Sequence, residues 1–74
     1  MHCLATFETT HMALKFEKIC LKRGFDVRII PVPREISTSC GFACRYPCHL
    51  RDAVMETALG SKIEVASYHE LEDV

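Results

Sequence analysis

The sequence predicts an α+β domain of the ferredoxin-like kind, βαββαβ, with a four-stranded antiparallel sheet and two helices on one face. Three observations lead there. Short segments of alternating apolar residues read as strands, and two longer segments carry apolar residues at helical spacing. Their order is strand, helix, strand, strand, helix, strand. At 74 residues, positions 1–74 form one small domain with room for a single core. So short a chain buries a modest share of its surface, which makes a homodimer an expectation, through sheet edges or the Leu14/Leu21 flank.

The first strand is read over residues 3–7, which alternate and are rich in strand formers. Thr9 or Thr10 caps the first helix and Gly24 ends it. Between them Met12, Ala13, Phe16, Ile19 and Cys20 form a core stripe, while Lys15, Lys18 and Lys22 make a basic ridge on another flank. Residues 25–32 read as the second strand, with Pro31 marking an exit or an edge position. A loop over 33–39 follows. Residues 40–46 read as the third strand, with Cys40, Phe42, Cys44 and Tyr46 on one face. Pro47 suits the first turn of a second helix, whose Leu50, Ala53, Val54, Thr57 and Ala58 recur at i, i+3, i+4, i+7 and i+8 until Gly60 stops it. Residues 62–68 alternate as the last strand, and the acidic stretch 70–73 is expected to fray.

Composition narrows the function. Half the residues are apolar and a quarter charged, as in globular rather than disordered chains. A net charge of −1 leaves no electrostatic footprint for nucleic acid. The uncharged stretch 36–43 is too short and too polar for a membrane span or a signal peptide, so the chain reads as cytoplasmic. Five cysteines stand out: Cys3, Cys20, Cys40, Cys44 and Cys48. Their odd number and the absence of an export signal favour reduced thiols, with Cys3 and Cys20 buried and inert. No phosphate loop, paired-carboxylate signature or HExxH pattern is present, and the chain has little depth for a substrate pocket. An enzyme is therefore not expected, nor a cofactor.

The chemistry concentrates in Pro31-Val32-Pro33-Arg34-Glu35-Ile36-Ser37-Thr38-Ser39-Cys40-Gly41. Two prolines stiffen the approach, and Gly41 removes a Cβ beside the sulfur. Arg34, Ser37 and Ser39 supply a cation and hydroxyl donors for a sulfur anion, which is the nucleophilic form of cysteine. Arg34 can equally pair with Glu35 or Glu17. This stretch, behind a helix ending in Lys-Arg-Gly and a strand, resembles the selenium/sulfur carrier protein-like family in its Pro-x-Pro-Arg-x-Ile-Ser-x-Ser-Cys-Gly pattern, and the resemblance covers most of the chain. It implies a carrier thiol at Cys40 followed by Gly41, with Pro33, Arg34 and Ser39 in the approach. It also implies a persulfide or selenopersulfide as cargo, a donor of the cysteine desulfurase type and an acceptor protein. Cys44, Cys48 and His49 lie outside that pattern.

Two readings compete with it. Cys40, Cys44, Cys48 and His49 give C-x3-C-x3-C-H, soft ligands for zinc or an iron–sulfur cluster at a spacing unlike the C-x2-C knuckles. Alternatively the cysteines merely pack in a small interaction domain. Between these stands a resolving role for Cys44 or Cys48 toward Cys40, which needs Cα atoms within about 7 Å.

Overall fold

The computed structural model describes residues 2–36 and 40–71. Within them the elements are β1 (His2–Thr6), α1 (Thr10–Lys22), β2 (Arg28–Pro31), β3 (Phe42–Tyr46), a 3-10 helix (Cys48–Leu50), α2 (Arg51–Gly60) and β4 (Ser67–Leu71). The strands form one sheet in the order β2-β3-β1-β4. Every pairing is antiparallel: Cys3 lies opposite Tyr46, Thr6 opposite Ser67, and Arg28 opposite Arg45. β1 and β2 therefore run parallel with β3 between them. The fold is α+β, with four antiparallel strands and two helices.

Alternation along the strands divides two cores. Cys3 and Ala5 of β1 and Cys44 and Tyr46 of β3 meet Ala13, Phe16 and Cys20 of α1 and Val54 and Ala58 of α2, so both helices cover the same sheet face. Phe7 and Phe16 close this core with ring centroids 5.2 Å apart and planes tilted by 50°. On the opposite face Leu4 and Ala43 are buried without any helix above them. Ile36, from the β2–β3 loop, packs on both, with Ile30, Val32 and Leu71 around it. That loop is thus part of the hydrophobic structure.

The helix signals in the sequence are realised with two exceptions, of which the first is Pro47: it stands in extended backbone before the 3-10 helix, and α2 begins only at Arg51. Thr9 Oγ1 accepts the Met12 N–H at 3.2 Å, the expected N-cap. Gly24 takes a φ of 83° and lets the Phe25 N–H return to the Cys20 carbonyl at 3.0 Å, sealing α1. At the end of α2 the left-handed residue is Lys62 (φ 58°), not Gly60, and the Ile63 N–H closes on the Ala58 carbonyl at 2.9 Å.

Boundaries move on all four strands, β1 lying at His2–Thr6 rather than 3–7. Ile63 is buried as the apolar seal of that helix end, so 62–66 is not strand and β4 begins at Ser67. Glu70 and Leu71 pair with Cys3 and His2 rather than fray, and 72–74 lie outside the described residues. β2 starts at Arg28 because Phe25 is committed to the α1 cap, and β3 starts at Phe42 because Gly41, at φ 76°, breaks the extended run.

Candidate functional site

The loop bearing Cys40 is closed at its base and anchored in its middle. Val32 N–H donates to the Gly41 carbonyl at 3.0 Å, which continues the β2–β3 pairing by one bond. Ile36 N–H donates to the Pro33 carbonyl at 3.0 Å, making a turn that drops the Ile36 side chain onto Leu4 and Ala43. Arg34 sits in that turn and is exposed. The Glu17 carboxylate accepts the Ile29 N–H at 3.0 Å. Ser37 and Ser39 lie outside the described residues.

Cys40 is half-buried at the mouth of this loop. The left-handed turn at Gly41 swings the Phe42 backbone back over the sulfur. Cys40 Sγ accepts the Phe42 N–H at 3.3 Å, and the thiol donates to the Phe42 carbonyl at 3.2 Å. Among the described residues, Gly41 and its chain neighbours apart, no heavy atom lies within 4 Å of where a Cβ on Gly41 would stand. The Phe42 ring, 40% exposed, flanks it.

The remaining cysteines are occupied otherwise. Cys20 and Cys44 are buried between α1 and the sheet. Burial pushes the Cys20 thiol up to about 11, with Arg23 opposing. Burial, then the neighbouring Cys20 and Glu17, push Cys44 up to about 12 against the Arg28 backbone N–H. Cys3 and Cys48 form a disulfide, with Cα atoms 5.3 Å apart and a sequence separation of 45. The expectation of reduced thiols therefore fails for this pair, and Cys3 is buried as expected but not a free thiol. Their proximity follows from the sheet register: Cys3 is opposite Tyr46, and Cys48 is two residues beyond Tyr46. Spacing along one segment cannot reveal it.

The same geometry disperses the metal set Cys40, Cys44, Cys48 and His49. Cys40 precedes β3, Cys44 faces the helices from mid-strand, Cys48 lies past the far end in a disulfide, and His49 is exposed on the 3-10 helix. A five-residue strand spans roughly 13–17 Å. Among the described residues no cluster of three metal-ligating side chains occurs. Nor does a resolving bridge form, since Cys48 pairs with Cys3 and Cys44 is a free, buried thiol. Sequence reading also missed Ile36 as the anchor of the loop; its signal was a lone branched apolar residue in an otherwise polar stretch.

The family model described as "Putative Se/S carrier protein-like" matches residues 2–70. No curated protein matches the chain, and no solved structure does. Among the described residues no helix is long and apolar enough to cross a membrane.

Proposed function

The chain belongs to the Se/S carrier protein-like family, and on that premise we propose that Cys40 holds sulfur or selenium as a persulfide or selenopersulfide and relays it between proteins. The observation that carries this reading is the division of labour among the cysteines. Two are spent in a disulfide and two are buried with their thiols held protonated, while Cys40 stands beside the Gly41 turn with a backbone N–H on its sulfur. In the loading step the Cys40 thiolate attacks the terminal sulfur of a donor persulfide. A Cys40 S–S bond forms, the donor's S–S bond breaks, and the donor cysteine leaves as a thiolate. An acceptor thiolate then repeats the attack on the loaded atom. The donor is a protein of the cysteine desulfurase type.

Exposed Phe42 supports docking of such partners beside the sulfur, and exposed Arg34 supplies a cation in the same loop. Gly41 keeps the approach open, and Ser39 completes the proposed set. The protein carries rather than turns over substrate. A homodimer through the Leu14/Leu21 flank stays within this proposal, supported by the exposure of both leucines. We read the sheet order, with β1 and β2 parallel about β3 and both helices on one face, as the ferredoxin-like arrangement.

Intact-mass analysis before and after incubation with a cysteine desulfurase and cysteine, or selenocysteine, tests the reading. One added sulfur or selenium atom, released by dithiothreitol and absent in Cys40→Ser, is expected. An adduct that persists in Cys40→Ser, or none on the native protein, overturns it.

A further inference from the structure

At the end of β3 remote from Cys40 lies a cleft of about 380 Å³ lined by Asp26, Arg28, Arg45, Tyr46, Pro47 and Cys48. We propose that this cleft and the Cys3–Cys48 disulfide beside it form a second site, which undergoes thiol–disulfide exchange with low-molecular-weight thiols that carry carboxylates.

Two independent features lead to this reading. The first is charge. Arg28 and Arg45 are direct register partners on neighbouring strands, and both are exposed. Like charges directly opposite one another destabilise a sheet. Asp26 is the single acidic residue among the described lining residues, so the cleft keeps a positive excess. A bound carboxylate relieves that repulsion, and guanidinium groups match carboxylates in geometry as well as charge. The volume lies within the range of small-molecule sites and accommodates a tripeptide thiol.

The second feature is the asymmetry of the disulfide. Cys48 is half-buried and lines the cleft, whereas Cys3 is 3% exposed in the core behind it. Exchange depends on which sulfur an incoming thiolate can reach. On this proposal a thiol held by the arginines attacks the sulfur of Cys48, the cysteine of the pair that lines the cleft. The attacking thiolate forms a bond to Cys48 Sγ, the Cys3–Cys48 bond breaks, and Cys3 leaves as a thiolate that takes up a proton. A second thiolate attacks the small-molecule sulfur of the mixed disulfide and releases Cys48. Two thiols are oxidised to one small-molecule disulfide, and the protein disulfide is reduced to two thiols. None of this passes through Cys40, so the site stands whether or not Cys40 carries sulfur.

Reduction rates of oxidised protein in a Cys40→Ser background, corrected for thiolate fraction, test the proposal with three thiols of different charge. Glutathione is expected to outrun neutral 2-mercaptoethanol by about tenfold, with cationic cysteamine slowest. The Arg28→Ala/Arg45→Ala double variant loses that preference, and Arg28→Glu/Arg45→Glu reverses it toward cysteamine. The trapped mixed disulfide is on Cys48. Equal rates across the three thiols, a preference that survives both double variants, a trapped adduct on Cys3, or a protein that forms no Cys3–Cys48 bond on oxidation overturns it.

Discussion

Lys62 carries a left-handed backbone that L-residues adopt at a cost of roughly 1–2 kcal/mol, and it does so because the end of α2 needs that conformation to turn Ile63 into the core. Lys62→Gly removes the steric cost and is expected to raise stability by about 1 kcal/mol, read as a higher urea midpoint at unchanged slope. The two buried thiols make a second prediction. Both have folded values above the ordinary 9.0, Cys20 at about 11 and Cys44 at about 12. The folded protein keeps protons that the unfolded chain releases, so their contribution is whole below pH 9.0 and is lost as pH climbs toward those folded values. Urea unfolding at about pH 8 and about pH 10.5 should show the fall, and Cys44→Ala should flatten it. An equally steep fall in Cys44→Ala would assign the effect to other groups.

Among the elements, β2 shows how an edge strand is closed. Ile29 turns its N–H away from β3 to the Glu17 carboxylate on α1, and Pro31, two residues on and facing the same way, has no N–H to offer. Both outward N–H donors of this edge are thereby withdrawn from strand pairing. Glu17→Ala should cost about 1–2 kcal/mol, the scale of a lost hydrogen bond to a charged group, and should increase self-association in sedimentation velocity. A variant that is as stable and as monodisperse as the native protein would show that the contact carries no weight. Pro31 as an edge marker was legible from the sequence, because proline lacks a donor wherever it sits. Glu17 as its complement was not, because the contact joins a helix to a strand twelve residues away.

For the whole molecule, the decisive feature is the use of both sheet faces. Helices cover one, and the β2–β3 loop covers part of the other through Ile36. The loop that presents Cys40 is thus fastened to the centre of the sheet. Ile36→Ala is expected to cost about 2 kcal/mol, at the low end for a buried isoleucine because its cluster is small. It should also speed alkylation of Cys40 while Cys20 and Cys44 stay protected. Unchanged alkylation alongside the lost stability would separate the anchor from the thiol. The free Cys40 thiol and the disulfide-bonded Cys48 then occupy opposite ends of β3.

Order and type of the strands and α-helices, the α1 and α2 core stripes and a threonine cap at Thr9 or Thr10 were determined by the sequence, because each depends on periodicity or on the conformational limits of single residues; the structure chose Thr9 and put a left-handed turn at Gly41 where a strand was expected. Strand boundaries, the Cys3–Cys48 disulfide, the dispersal of Cys44, Cys48 and His49, and the pairing of Arg28 with Arg45 were decided only by tertiary structure. The disulfide and the Arg28–Arg45 pairing depend on register between segments remote in sequence, whereas the strand boundaries follow from how the flanking helix ends and the Gly41 turn close, and the dispersal of the other ligands from where β3 begins and ends. A strand's alternation states which residues share a face, but the partner strand decides what stands opposite them.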